Sequence, residues 1–239
     1  MPFMRITDAL PALRELNGFN ITVPHKQSIL PFLDELTPEA AFYGAVNTVT
    51  VKSGRLIGTN TDGYGFTKGL QRQGLTLSGK VLLLGAGGTA HTVACEVAEA
   101  RGELTVLVRN PKSASCNALR AFLQERRIEA RILTEGEVNG CFDLLVNATP
   151  CGMYPDVDAC PVQSATVERV GAVADVIYRP RQTALMKMAQ ALGKPSVNGA
   201  AMLALQGIRA QEIWRDIRLS AKEEEEIICA LTQKLGEEE

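Results

Sequence analysis

A glycine-rich segment at residues 85–90 has the residue types and spacing of a phosphate-binding turn. It follows four apolar residues, 81–84, and precedes apolar residues spaced as one helix face, at Ala90, Val93, Ala94, Val97 and Ala98. A glycine turn between a buried strand and a helix lets the backbone approach a pyrophosphate, and the helix N-terminus offers free N–H groups. An ordinary tight turn is the alternative. The pattern predicts a dinucleotide site at Gly85, Ala86, Gly87, Gly88, Thr89 and Ala90.

The end of the next predicted strand, residues 104–108, bears on which dinucleotide binds. An acidic residue at this position holds the ribose 2′-hydroxyl of NAD, but this sequence has Arg109, followed by Asn110 and Lys112. A cation suits the additional 2′-phosphate of NADP. The sequence therefore favours NADP over NAD, and a solvated surface arginine is the alternative.

Polar residues that follow or interrupt the predicted strands before residue 70 are candidates for a substrate site. They are Asn20, Thr22, Lys26, Asn47, Thr48, Asn60, Thr61 and Asp62. Asn20 and Asn47 lie in stretches predicted as parallel strands, where polar side chains need a partner or a ligand. Hydride transfer also moves one proton, which Lys26 could carry with Asp62 holding it. By chemistry alone, a surface lysine and a helix-capping aspartate are the simpler alternative.

The elements that must position these residues form two α/β units. The first, residues 1 to about 70, is predicted to contain strands at 3–6 and 19–23, a helix from Asp8, a helix over 26–35 and a hairpin over 44–51 and 55–58. The second begins near Ser78 and alternates strands with helices, which predicts a doubly wound, mostly parallel sheet. Two further helices are predicted, over 200–214 and from Ser220.

The composition is that of a globular chain, with 239 residues, 46% hydrophobic residues and 22% charged residues. A net charge of −2 gives no electrostatic basis for binding nucleic acid or an anionic membrane. Six cysteines without a CxxC pair, and two isolated histidines, predict no metal site. Because the sequence has neither a signal peptide nor a membrane-spanning run, we expect a cytoplasmic protein with reduced thiols.

Several longer segments resemble one family, shikimate dehydrogenase. They are GFNITVPHK (18–26), GAVNTV (44–49), GTNTDGYGF (58–66), LLGAGGTA (83–90), NATPCGM (147–153), DVIYRP (175–180) and NGAAMLALQ (198–206). The resemblance implies a small α/β substrate domain over 1–76 and an NADP-binding Rossmann domain over 77–197. It also implies that C-terminal helices within 198–239 pack back on the substrate domain.

The resemblance implies roles for individual residues. Lys26 and Asp62 match the family's catalytic pair, in which Lys26 handles the proton on the reacting oxygen. The substrate-binding candidates are Asn20, Thr22, Asn47, Tyr178 and Gln206. The cofactor-binding candidates are the turn residues 85–90 together with Arg109, Asn110, Lys112, Thr149, Gly199 and Met202. The implied reaction is the reversible, NADP-dependent reduction of 3-dehydroshikimate to shikimate in aromatic amino-acid biosynthesis, by a monomer or homodimer.

Two departures from the family pattern keep other hypotheses open. The family's N-terminal strand and helix with a Ser-x-Ser motif have no counterpart, so we expect the sequence to be N-terminally incomplete. Val108-Arg109-Asn110 replaces the usual Asn-Arg-Thr, and Ser113 stands where a second basic residue is common. The alternatives are a quinate/shikimate dehydrogenase that uses NAD, a truncated cofactor-binding relative with little activity, and a methylene-tetrahydrofolate-type dehydrogenase with a similar two-domain plan.

Overall fold

The computed structural model describes residues 6–22 and 25–237, and its first unit is a small mixed sheet with flanking helices. The elements are α1 (Ile6–Leu13), β1 (Gly18–Asn20), β2 (Glu35–Leu36), α2 (Pro38–Tyr43), β3 (Thr48–Lys52), β4 (Arg55–Thr59) and α3 (Asp62–Gln71). The strand order is β1-β3-β4-β2, with β3 antiparallel to β1 and β4, and β2 parallel to β4. Ile29, Val46, Val49 and Leu56 are fully buried in the core of this unit.

The structure of the first unit differs from four of the predictions. The helix over 26–35 is wrong, because Pro31 cannot donate a backbone hydrogen bond and only a 3₁₀ turn forms over Leu30–Phe32. Strand 3–6 is wrong at Ile6, which begins α1, and residues 3–5 lie outside the described residues. Of strand 19–23, only residues 19 and 20 belong to β1, and Val23 is not described. The parallel pairing expected near Asn20 and Asn47 is antiparallel.

The second unit is a six-stranded, fully parallel sheet, and an α-helix connects each pair of successive strands except β7 and β8, which are joined by a 3₁₀ turn over Glu135–Glu137. Its elements are β5 (Lys80–Leu84), α4 (Gly88–Glu99), β6 (Glu103–Leu107), α5 (Ala114–Glu125), β7 (Ala130–Leu133), β8 (Phe142–Asn147), α6 (Ser164–Glu168), β9 (Val170–Asp175), α7 (Ala184–Ala191) and β10 (Ser196–Val197). The order β10-β9-β8-β5-β6-β7 changes direction between β5 and β8. Counted from β5 as the first strand, this is the Rossmann order 3-2-1-4-5-6, with its ligand crevice beside β5 and β8.

Strand β5 shows why the prediction for this unit holds. Val81 and Leu83 enter one apolar core, whereas Leu82 and Leu84 enter the core on the opposite face of the sheet. All four side chains are at most 1% exposed, so the strand is covered on both faces and needs an uninterrupted apolar run. The predicted α/β fold class, with a Rossmann-type doubly wound sheet, is confirmed.

The last two helices, α8 (Ala200–Arg215) and α9 (Ala221–Glu237), return to the first unit. Helix α8 packs closely along α3, and Trp214 Nε1 donates a hydrogen bond to the Val49 carbonyl oxygen at 3.0 Å. The predicted return of the C-terminal helices to the small sheet is therefore confirmed. None of the helices within the described residues is long and apolar enough to cross a membrane.

Candidate active site

The ammonium of Lys26 and the carboxylate of Asp62 form an ion pair. Lys26 Nζ lies 2.7 Å from Asp62 Oδ2, and the two side chains are 30% and 13% exposed. Lys26 lies in a turn that is fixed to the first unit, because its carbonyl oxygen accepts the Val46 N–H at 2.8 Å. Asp62 begins α3, and its own N–H is bonded to Asn60 Oδ1 at 2.9 Å. The pair is thus held from both sides and is partly shielded from solvent.

Asn47 connects this pair to the buried loop that precedes α3. Its side chain is 2% exposed, and Nδ2 donates to Asp62 Oδ1 and to Thr61 Oγ1, both at 2.9 Å. Asn47 Oδ1 accepts the Thr61 N–H at 2.9 Å and the Thr48 hydroxyl at 3.0 Å. One oxygen of Asp62 therefore bonds to Lys26 and the other to Asn47, which fixes the plane of the carboxylate.

Asn20 and Gln206 complete the polar wall around Asn47. Asn20 Nδ2 donates to the Asn47 carbonyl oxygen at 3.0 Å and to Thr48 Oγ1 at 3.1 Å. Gln206 Oε1, on α8, lies 3.5 Å from Asn47 Nδ2. Seven of the eight polar candidates named before residue 70, all except Thr22, are thus in one network, and Gln206 joins them from the other end of the chain.

Two predicted substrate residues lie apart from that network. Thr22 is exposed two residues beyond β1, and its carbonyl oxygen accepts the His25 N–H at 2.9 Å. Tyr178 is 40% exposed and follows β9 in the nucleotide-binding unit. Within the described ranges, no hydrogen bond joins the side chain of either residue to Asn47 or Asp62.

The glycine turn lies at the point where the strand order of the parallel sheet reverses. Gly85 has φ 105°, and a Cβ at this position would lie 2.8 Å from Thr149 Cγ2, so the loops after β5 and β8 pack directly together. A Cβ at Gly87 or Gly88 would meet no atom within 4 Å. Gly87 caps α4 without a side-chain hydrogen bond, which leaves the first N–H groups of α4 facing open space. These features fit the pyrophosphate of a dinucleotide.

The remaining cofactor candidates surround this turn. Arg109, Asn110 and Lys112 are exposed just beyond β6, and the Lys112 N–H bonds to Asn110 Oδ1 at 2.9 Å. Burial raises the pKa of the Cys151 thiol, and the nearby Arg109 guanidinium opposes that rise, which places its charge near the loop after β8. Gly199 caps α8 against the Val176 carbonyl, and Met202 lies one turn into that helix. The cationic side chains of Arg109 and Lys112 fit a 2′-phosphate.

A buried polar network that was not predicted from the sequence lies behind Thr149. Asp175, at the end of β9, is 2% exposed and accepts hydrogen bonds from Thr183 Oγ1 at 2.7 Å, Asn147 Nδ2 at 3.0 Å and the Ile177 N–H at 3.1 Å. Asn147 Oδ1 in turn accepts the Thr149 hydroxyl at 2.7 Å. Burial raises the pKa of Asp175 although these bonds lower it. The sequence signal was a polar residue at the end of two neighbouring apolar strands, Asn147 in β8 and Asp175 in β9.

A second missed cluster lies between the two units. Glu96, in the apolar-faced helix α4, accepts hydrogen bonds from the hydroxyls of Tyr43 and Thr67 in the first unit. No local spacing indicates these pairs, because the partners are 53 and 29 residues away along the chain. Within residues 6–22 and 25–237, no group of three or more His, Cys, Asp or Glu side chains is arranged to hold a metal ion.

Comparison with known proteins gives consistent results. A family model described as the shikimate dehydrogenase substrate binding domain matches residues 2–49. A shikimate dehydrogenase (NADP(+)) of Clostridium perfringens (strain 13 / Type A) is 34% identical over 215 residues, which cover 89% of this chain and 77% of that protein. Another, of Desulforamulus reducens, is 38% identical over 226 residues and covers 87% and 75%.

Similarity to solved structures extends across both units. The crystal structure of shikimate 5-dehydrogenase from Thermus thermophilus, in complex with NADP(H) and shikimate, is similar with a TM-score of 0.83 at 34% identity. The match covers 97% of this chain and 85% of that one. The likeness therefore includes the small sheet and the returning helices as well as the nucleotide-binding sheet.

Proposed function

Because the chain belongs to the shikimate dehydrogenase family, we propose that Lys26 and Asp62 are the catalytic pair of its reaction. The chain is an oxidoreductase that catalyses the reversible, NADP-dependent reduction of 3-dehydroshikimate to shikimate. The observation that carries the assignment of the pair is the 2.7 Å separation of Lys26 Nζ and Asp62 Oδ2, with Asn47 bonded to the other carboxylate oxygen.

Proton transfer follows from the charges of this pair. NADPH, when bound, supplies the hydride that reduces the carbonyl carbon of the substrate. The ammonium of Lys26 then gives a proton to the carbonyl oxygen, and in the oxidative direction Lys26 Nζ accepts the hydroxyl proton. Asp62 keeps the Lys26 side chain oriented toward the cleft and balances its charge. The position of Asp62 beside Lys26 also suits an oxygen acceptor for a neighbouring substrate hydroxyl.

The other site residues are assigned the roles that similarity to the family implies. We propose that Asn20, Thr22, Asn47, Tyr178 and Gln206 contact the substrate. Residues 85–90 with Thr149, Gly199 and Met202 are proposed to hold the pyrophosphate and nicotinamide parts of NADP. Arg109, Asn110 and Lys112 are proposed to hold the 2′-phosphate. Supporting the last assignment, all three are exposed side by side beyond β6, where a phosphate can reach them.

The same architecture supports a division of the chain into three segments with different functions. We propose that residues 1–76 form the substrate-binding domain, 77–197 the NADP-binding domain, and 198–239 helices that belong with the substrate side. The close packing of α8 on α3 supports the last boundary. We further propose a cytoplasmic monomer or homodimer, consistent with six cysteines that form no disulfide. Light scattering after gel filtration measures the oligomeric state.

Substitution of Lys26 tests the assignment. Wild-type protein and the Lys26→Gln variant are assayed for NADPH formation with shikimate, and in parallel with NAD and with quinate. Loss of general acid–base catalysis predicts that kcat falls about 100- to 10,000-fold while NADP affinity stays unchanged. The exposed Lys52→Gln is the matched control. Equal turnover of the Lys26→Gln variant and the wild type would show that Lys26 is not catalytic. Wild-type turnover with quinate but not with shikimate would show that the substrate is quinate.

A further inference from the structure

Glu96 lies where three helices meet, away from the catalytic pair. Its Oε1 accepts the hydroxyl of Tyr43, the last residue of α2, and its Oε2 accepts the hydroxyl of Thr67, in the middle of α3. Glu96 itself belongs to α4, the helix that begins at the glycine turn. One carboxylate therefore bonds to both helices of the first unit that border the site, from the helix that presents the cofactor turn.

The bonded group lies directly against the residue after Asp62. A Cβ added at Gly63 would lie 2.2 Å from Tyr43 Oη and 2.7 Å from Glu96 Oε1. Neither distance is possible for a real side chain, so the Tyr43–Glu96 pair occupies the space beside the first turn of α3. The Tyr43–Glu96 pair therefore packs directly against the helical turn that carries Asp62.

A second contact fixes the end of α2. The Phe42 carbonyl oxygen accepts the Arg126 Nε–H and, at 3.8 Å, the Cys95 thiol, so helices α4 and α5 both hold it. The Arg126 guanidinium also stacks over the Phe122 ring at 4.0 Å from its centroid. The chain runs from this end of α2 directly into the loop that contains Asn47.

The hydroxyl donors suit hydrogen bonds to Glu96 that persist throughout the neutral pH range. Tyr43 is 6% exposed, and burial together with Glu96 raises the pKa of its hydroxyl far above the ordinary value. The hydroxyl therefore keeps its proton and remains a donor throughout the neutral range. Hydrogen bonds to a charged acceptor are about twice as strong as neutral ones, so two of them on one carboxylate resist relative movement of the helices.

We propose that Glu96 is a positioning residue for hydride transfer. Its carboxylate holds α2 and α3, and with them Asn47 and Asp62, at a fixed distance from the cofactor turn of α4. The inference rests on the proposed roles of Lys26 and Asp62. In the proposed function, the substrate binds mainly to the first unit and NADP mainly to the second. A change in the position of one unit relative to the other therefore affects hydride transfer far more than the binding of either ligand.

The test is the Glu96→Gln variant, in which the amide oxygen accepts one hydroxyl, the amide N–H₂ donates to the other hydroxyl oxygen instead of accepting from it, and the charge is lost. Displacement of about 1 Å can cost up to about 100-fold in rate, and for this partial loosening we expect kcat to fall about 10-fold. We expect KM for shikimate and the Kd of NADP to change less than about twofold. The deuterium isotope effect on kcat, measured with shikimate labelled at the carbon that gives up the hydride, rises because hydride transfer becomes rate-limiting.

Control and companion variants separate positioning from folding. Glu99→Gln makes the same chemical change at an exposed position of α4 and keeps wild-type kinetics. Tyr43→Phe and Thr67→Val each remove one hydroxyl and lower kcat in the same direction. Combined with Glu96→Gln, they add little further loss, because residues that act as one unit are not additive.

Three outcomes decide the matter. If Glu96→Gln loses thermal stability but keeps wild-type kcat and isotope effect, its role is structural and the inference is wrong. If kcat falls together with binding of both ligands in equal measure, positioning is also excluded. If the wild type binds both ligands without turnover, the proposed function fails and takes this inference with it. An active wild type that Lys26→Gln inactivates keeps the proposed function whatever Glu96→Gln does.

Discussion

Replacing Gly65 by alanine tests how tightly the two walls of the substrate site are packed. Gly65 lies on α3, one turn after Asp62, and faces α8. A Cβ there would lie 2.7 Å from the Met202 carbonyl oxygen and 3.0 Å from the Gln206 backbone nitrogen. The first distance falls 0.7 Å short of the 3.4 Å at which ordinary van der Waals contact begins. Because both neighbours are backbone atoms, no side-chain rotation relieves the contact and the helices must separate.

The magnitude follows from two opposing effects on the free energy of unfolding. Alanine is favoured over glycine in a helix interior by about 1 kcal/mol. Overpacking of a close contact costs about 1–3 kcal/mol, so Gly65→Ala is expected to destabilise the protein by about 1 kcal/mol. At Gly207, within α8, an added Cβ would meet no atom within 4 Å. Gly207→Ala is therefore expected to stabilise by about 1 kcal/mol, a difference of about 2 kcal/mol between the two variants.

Urea denaturation of both variants measures this difference, and steady-state kinetics measures its effect on the site. Separation of α3 from α8 moves Asp62 away from Gln206, so we expect kcat/KM for shikimate to fall about 10-fold in Gly65→Ala and to remain unchanged in Gly207→Ala. Equal stabilisation by both substitutions would refute the reasoning, because it would mean that α3 and α8 separate freely. Loss of stability without loss of kcat/KM would refute only the link from helix separation to the site.

Two further predictions concern a buried histidine and cofactor choice. Burial, and secondarily Arg126, lowers the pKa of His91 below 6.5, so its stabilising contribution is intact above that pH and is lost as pH falls toward the folded-state pKa. The free energy of unfolding should therefore fall by up to about 1.4 kcal/mol per pH unit in that range. The His91→Phe variant should lose this pH dependence, whereas the control variant His25→Gln should keep it. An unchanged slope in His91→Phe contradicts the prediction. Arg109→Ser should raise KM for NADP about 10- to 100-fold and leave KM for NAD unchanged. The control Arg131→Ser, at an exposed position, should leave both KM values unchanged. Equal changes in KM for NADP and NAD in Arg109→Ser contradict the prediction.

Local patterns were sufficient for the nucleotide-binding unit. In β5 and α4, an apolar run, a glycine stop and a helical stripe occur in succession, and each matches one element of the structure. The same approach was wrong over residues 26–35, because apolar spacing was given more weight than Pro31. It also passed over α2, whose signals were present. Thr37 accepts the Ala40 N–H and Pro38 follows it at the first helical position.

Within the site, the sequence revealed residues that lie close together in local segments and missed those that act across the fold. Lys26, Asn47 and Asp62 come from short segments with recognisable neighbours. Glu96 does not, and Asp175, although it begins the segment 175–180, received no role because its hydrogen-bond partners lie on other elements. A carboxylate in an apolar helix or at the end of a buried strand was visible in the sequence, but its partners depended on how the helices and strands pack.

The bonding capacity of the site residues separates groups that are fixed from groups that remain available. An asparagine side chain offers two N–H donors and two lone pairs, and in Asn47 all four are engaged by Thr48, Thr61 and Asp62. A substrate hydroxyl that reaches Asn47 must therefore replace one of these bonds. The Lys26 ammonium has three donors, and among residues 6–22 and 25–237 Asp62 Oδ2 engages one of them. Under the proposed mechanism, binding of the reacting oxygen at Lys26 adds a hydrogen bond rather than exchanging one, while Asn47 keeps Asp62 in place.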